Sequence, residues 1–320
     1  MKSEQKRIIE FLHAEDGFTI LRILIRTEMH LGAGLLFFLT LRALGKKAEF
    51  VVADDVPFMY RTMPLLPYLT KPEQAVGYKN VICVDTSDKG RLETPKLLEN
   101  AQKIVVLDHH ISNQGFGDLQ WIEPKAAASA EVIYQVAELL HVQIKGDLAT
   151  CLLLALSTDT GHFGFKNTTP RTLEMASKLL ADGASIADIC YDVYHRKTWQ
   201  KTKLLGRAID SLELLCDGKA GLVTITKKDL EECGCSQSDC EGLIDIAREI
   251  DGVEVSVMLR ERGDEIKGSL RSRNEMNVAD MAAQYGGGGH RAASGFSLQM
   301  TLPEAVCEVK RMLTEAFAQR

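Results

Sequence analysis

No stretch of this 320-residue chain approaches the ~20 consecutive apolar residues that a membrane helix needs. A membrane partner is therefore not expected. Excess positive charge is missing too. Lys and Arg number 38 against 44 Asp and Glu, a net charge of −6. That argues against broad binding along a nucleic-acid backbone, while leaving room for a local phosphate pocket. Cysteine pairs at CxxC-type spacing are absent. The one cluster, "ECGCSQSDC", holds Cys233, Cys235 and Cys240, which is one ligand short of a structural zinc site and wrongly spaced for it. The opening "MKSEQKRIIEFLHAEDGF" has neither an apolar block nor a small-residue cleavage site, so a cytoplasmic location is the expectation. Repeats are absent, and the only low-complexity tract is the glycine run Gly286 to Gly289.

Hydrophobic content of 45% is enough for a sizeable core, and the length favours two domains. The first half alternates strand and helix signals. "FTILRILI", "AEFVVAD", "NVICVDTSD" and "KIVVLDHH" read as buried strands, with "GLLFFLTLRALGKK" and "LETPKLLENAQ" as helices between them. Strands apolar throughout and separated by helices predict a parallel sheet covered on both faces. Residues 186–212 are charged and helical and read as a connector. After them "AGLVTIT", "GVEVSVMLRERG" and "EIKGSLRS" read as strands, the last two joined at Gly263-Asp264. The expected architecture is α/β: a parallel-sheet domain over residues 1–185, then a smaller α+β domain over 213–320 with a mixed or antiparallel sheet and the active cleft between the two.

Three acidic or histidine clusters close apolar segments: "VDTSD" (Asp85, Asp88), "LDHH" (Asp108, His109, His110) and "STDTGHFGF" (Asp159, His162). Ligands of open α/β sheets sit beyond the carboxyl ends of the strands, where Asp85 and Asp108 project. An Asp after a strand often caps the next helix, and Asp88 reads equally well as a turn residue. Two adjacent histidines after a strand-end Asp resist that reading, because burying three ionisable groups is costly without partners or a metal. Carboxylates mixed with imidazole suit Mn²⁺, Fe²⁺ or Zn²⁺, with Mn²⁺ favoured where oxygen dominates. The metal candidates are Asp85, His109 and Asp159, and His162 reads as packing. A second constellation, "GGGGHRAASG", offers Gly288, Gly289, His290 and Arg291, with Arg271, Ser272 and Arg273 upstream in "GSLRSRN". Glycine backbone N–H groups with cationic donors make a candidate phosphate or nucleotide grip.

In this order and spacing, "VDTSD", "VVLDHH", "STDTGHF" and "GGGGHRAASG" resemble the DHH phosphoesterase family with a C-terminal DHHA1 domain. The similarity spans nearly the whole chain. It is strongest to the subgroup of bacterial short-oligoribonucleases and adenosine-3′,5′-bisphosphate phosphatases, with cyclic-di-AMP phosphodiesterases as relatives. The resemblance implies a site for two Mn²⁺ ions that activates water for in-line attack at phosphorus. Asp85 would bridge both ions, and His109 with Asp159 would complete the second. Asp108 would orient His109, His110 would face the substrate phosphate, and His290 with Arg271 would hold the nucleotide. Short RNA or a nucleotide is the implied substrate, and the connector leaves room for a homodimer.

One family element departs from the pattern. A first motif, His-x-His-Pro-Asp-x-Asp-Ala-x-Gly-Ser, aligns without gaps on Ile23 to Ala33, which reads "ILIRTEMHLGA". Ile23, Thr27 and Met29 stand where a His and two Asp would bind metal. One of the two metal sites is thereby in doubt, and impaired activity is expected of the chain as written. Joining the third base of each codon to the first two of the next permits T-H-x-H-P-D-G-D-A-L-G-S, the whole motif in the same register. The hypothesis is a pair of compensating single-base insertions or deletions near Leu21 and Gly34. The rival is a true loss of catalysis in a nucleotide-binding protein. Resequencing the codons for residues 18–36 decides between them.

Overall fold

The computed structural model describes residues 2–21, 31–53, 56, 58–60, 66–92, 94–113, 115–273 and 276–318. These form two compact units, Met1–Arg196 and Lys197–Arg320.

The first unit opens with helix α1 (Ser3–Ala14) and strand β1 (Phe18–Leu21), followed by α2 (Leu31–Ala43) and β2 (Ala48–Val51). Next come β3 (Leu69–Thr70), β4 (Asn80–Val84), α3 (Pro95–Glu99), β5 (Lys103–Asp108) and β6 (Leu119–Ile122). Helices α4 (Ser129–Leu139), α5 (Asp147–Asp159), α6 (Pro170–Ala181) and the single turn α7 (Ile186–Ile189) complete it. Among the described residues the strands form one parallel sheet in the order β3-β2-β1-β4-β5-β6. Successive side chains on a strand face opposite ways, and the two cores follow that alternation. Phe18, Ile20, Ile82, Val84, Val105 and Leu107 join a large core with α1, α2, α4 and α5. Leu21, Val81, Cys83 and Val106 join a smaller one with Leu97 and Leu98 of α3. Strand order reverses between β1 and β4, which places a ligand crevice beyond their carboxyl ends. Helix α2 lies close on its neighbours: a Cβ at Gly34 would stand 2.5 Å from the Phe50 ring, and one at Gly32 would stand 3.0 Å from Ala155. The buried Glu49 accepts from the Thr19 hydroxyl at 2.6 Å and from the backbone N–H groups of Val76 and Gly77.

The stretch expected as one helical connector is divided. After α7, residues Cys190–His195 form a π-helical turn that ends at Arg196. The chain restarts at α8 (Trp199–Asp210), where the Thr198 hydroxyl caps the N–H of Lys201. The division between units falls at Arg196–Lys197, and Leu204 and Ala208 of α8 pack into the second unit's core.

The second unit continues with β7 (Glu213–Leu215), β8 (Ala220–Ile225), α9 (Lys227–Cys233), α10 (Asp245–Arg248), β9 (Val255–Arg262) and β10 (Glu265–Ser272). It ends with α11 (Val278–Ala283), β11 (Gly288–His290), β12 (Ala293–Leu298) and α12 (Leu302–Ala318). Its sheet runs β11-β12-β10-β9-β8-β7 and is mixed: β8 and β9 pair parallel, the other neighbours antiparallel. Helices α11 and α12 cover one face and α8, α9 and α10 the other. Cys233 and Cys240 are buried in that second core with Cys235 packed against it, as free thiols. No described helix is long and apolar enough to cross a membrane.

Candidate metal centre

Asp85 directly follows strand β4 and Asp108 closes strand β5, on adjacent parallel strands. Asp85 takes a left-handed backbone, φ 57°, which disfavours a side chain unless its surroundings enforce it. They do: its N–H donates to the Leu107 carbonyl at 2.9 Å, and its Oδ1 accepts the Ser129 hydroxyl at 2.6 Å. Asp85 and Asp108 are almost wholly buried, and Asp159, at the carboxyl end of α5, keeps only 7% of its side chain exposed. Burial, and next the nearby Asp85 charge, push the Asp159 carboxyl well above the ordinary range.

His109 lies between them. Its Nε2 is 3.6 Å from Asp85 Oδ1 and 3.9 Å from Asp159 Oδ2. Its Nδ1 is 3.1 Å from the Ala126 carbonyl oxygen. A carbonyl only accepts, so Nδ1 carries a proton, and Nε2 is the nitrogen turned toward the two acids. That is the orientation a metal-ligating histidine needs. His110 stands 4.7 Å away, ring centre to ring centre, with Nδ1 3.9 Å from Asp85 Oδ1. The ligand atoms of Asp85, His109 and His110 lie within 4.8 Å of one another, the one such group among the described residues. Buried carboxylate oxygens with a correctly turned imidazole fit a divalent cation of the Mn²⁺, Fe²⁺ or Zn²⁺ type.

Asp108 does not orient His109, as the sequence led us to expect. Its Oδ1 is 2.6 Å from Nδ1 of His110, and its Oδ2 accepts the Asn113 amide at 2.7 Å. Successive side chains diverge at the end of β5, so the ring within reach of Asp108 is two positions on, and His109 is left to the Ala126 carbonyl. Ser129, Asn113 and Asn167 are site neighbours that the motifs did not flag. The Asn167 amide donates to the backbone carbonyls of Asp159 and Ala127, at 3.0 Å each. Only the place of Asn113 three residues after the paired histidines could have marked it. His162, also left-handed at φ 55°, has its Nδ1 2.9 Å from the Ser157 hydroxyl and packs on the Tyr194 ring. Asp88 accepts from the Gly90 N–H two residues on, the turn role weighed for it above. Residues 22–30, which carry most of the first motif with Ile23, Thr27 and Met29, lie outside the described residues.

The last two glycines of the run, Gly288 and Gly289, open strand β11, which pairs antiparallel with β12. A Cβ at Gly287 would stand 2.3 Å from the Gly295 carbonyl oxygen, and one at Gly289 would stand 2.5 Å from that of Ala293. These two positions are therefore required by strand packing. Gly288 faces open space instead. Arg271, half-buried on β10, donates to the Leu270 carbonyl, and the Ser272 N–H donates to that of Ala292. Arg291 is exposed. The side chain of His290 lies outside the described set.

The model of the N-terminal domain of the DHH family matches residues 30–156, and that of the DHHA1 domain matches residues 222–319. The bifunctional oligoribonuclease and PAP phosphatase NrnA of Thermus thermophilus is 30% identical over 270 residues, covering 84% of this chain and 80% of that protein. The chain belongs to the DHH family. Among solved structures, this DHH chain superposes on an exopolyphosphatase-related protein from Bacteroides fragilis with a TM-score of 0.92 at 21% identity, covering 100% and 96% of the two chains. RecJ from Thermus thermophilus, solved in complex with Mn²⁺, shares the fold at a TM-score of 0.55 and 15% identity, covering 99% of this chain and 55% of that one.

Proposed function

We propose that this DHH chain is a metal-dependent phosphoesterase whose substrates are short oligoribonucleotides, adenosine 3′,5′-bisphosphate or both. The observation that carries the reading is His109, with its Nε2 turned to Asp85 and Asp159 at the carboxyl ends of β4 and α5. Kinship with an oligoribonuclease and PAP phosphatase supports the substrate class.

Asp85, His109 and Asp159 would hold the cation, and Mn²⁺ suits an oxygen-rich set. Bound there, it supplies Lewis acidity toward phosphoryl oxygen and lowers the pKa of water. Asp108, a pure acceptor, keeps the proton on Nδ1 of His110, which leaves His110 Nε2 for the substrate phosphate. In the second unit Arg271, Ser272, Gly288, Gly289, His290 and Arg291 are assigned to the nucleotide. Exposed Arg291 and open Gly288 support that assignment.

A second reading rests on Ile23, Thr27 and Met29: a nucleotide-binding protein without catalysis. A manganese-supplemented assay on a short RNA and on adenosine 3′,5′-bisphosphate separates the two. The expected result is strongly impaired but metal-dependent release of mononucleotide or phosphate. Normal turnover by the chain as written would refute the metal assignment. Nucleotide binding with no trace of turnover would establish the second reading.

A further inference from the structure

Asn113 joins the two strand ends that build the site. Its Nδ2 donates to Asp108 Oδ2 at 2.7 Å and to the carbonyl of Thr86, the residue after Asp85, at 3.1 Å. Its Oδ1 accepts the N–H of Gly115 at 2.8 Å, an Asx turn that closes the loop leaving β5. Asp108 is fully buried and carries one bond on each oxygen, to His110 and to Asn113. We propose that Asn113 is a positioning residue: by saturating the second oxygen of Asp108 it aims His110 at the substrate phosphate, and by holding Thr86 it ties that histidine to the turn that presents Asp85. A carboxylate bonded through one oxygen alone swings about its Cβ–Cγ bond. Bonded through both, it fixes the imidazole plane, which is how supporting groups orient a functional histidine. The inference rests on the reading of His110 as the phosphate-facing group.

The two sides of Asn113 allow a discriminating test. Asp makes the same Asx turn through its own oxygen but offers Asp108 a charge in place of a donor, whereas Ala loses both. AMP, the product of adenosine 3′,5′-bisphosphate and of an oligoadenylate, serves as the probe. Its affinity is measured by calorimetry on the full chain with Mn²⁺ present, with thermal melts to confirm folding. If Asn113 acts through Asp108 and His110, Asn113→Asp binds AMP on the order of 10-fold more weakly than the parent and no better than Asn113→Ala. The double variant of His110→Ala with Asn113→Asp then matches His110→Ala alone to within about 2-fold, the mark of residues acting as one unit. A merely structural turn predicts the opposite order, with Asn113→Asp at parental affinity and Asn113→Ala impaired. That order, or an undiminished Asn113→Asp effect in the His110→Ala background, overturns the inference and leaves the reading of His110 standing. Parental affinity in His110→Ala overturns the reading of His110 itself, and the inference with it.

Discussion

The imidazole Nε2 of His109 stands 3.6 Å from the Asp85 carboxylate, with a proton held on the opposite nitrogen by a backbone carbonyl. Two buried acids and one imidazole nitrogen converge there. A cation that binds only the folded chain stabilises it by mass action, by about 2.7 kcal/mol at 100 times its Kd. Thermal melts in Mn²⁺ and in EDTA should differ accordingly for the parent. Asp85→Asn and His109→Ala should lose most of the difference. An unchanged Mn²⁺ shift in Asp85→Asn would move the metal elsewhere.

Repair of the first motif is the second test. Ile23→His, Thr27→Asp and Met29→Asp in one chain restore the ligands that the family pattern places there. Turnover of adenosine 3′,5′-bisphosphate should rise by at least about 100-fold over the chain as written, in keeping with the weight of metal activation in such reactions. No gain would show that these positions do not ligate metal.

Asp159 gives a pH dependence. Burial first, and then the Asp85 charge, raise its folded pKa well above the ordinary carboxylate value of about 3.9. The folded chain therefore holds a proton that the unfolded chain releases. Its contribution to stability is fully present below the unfolded pKa and is lost as pH rises through the folded one. In EDTA, Asp159→Asn escapes that loss, so its stability relative to the parent should grow between pH 4 and pH 7 in urea melts. A gap that is constant across this range would mean that Asp159 is not strained by burial in the metal-free chain.

Glu49 tests the fold away from the site. Three donors converge on its buried carboxylate, from Thr19, Val76 and Gly77. Glu49→Ala leaves them unsatisfied and should cost at least about 2 kcal/mol in denaturant unfolding. Glu49→Gln keeps an acceptor oxygen and should cost less. Equal losses in the two variants would show that packing volume, not hydrogen bonding, is what Glu49 provides.

Much of this molecule was legible in the order of its residues. Apolar runs closed by acids gave the parallel sheet, and Gly263-Asp264 gave the β9–β10 hairpin, because strand burial and turn chemistry are local. That Asp85 and Asp108 stand side by side was legible for the same reason: a strand's carboxyl end faces the crevice whatever its neighbours are. Strand β6 was missed, being four residues long with Gln120 inside it, and it is held by pairing with β5. The partner of each polar group was decided by tertiary structure alone. Asp108 pairs with His110 and not His109, Ala126 orients the His109 ring, and Gly287 and Gly289 serve strand packing. A hydrogen bond depends on ångström-scale approach between two groups. Strand order and loop path set that approach, and the periodicity of a single segment does not carry it.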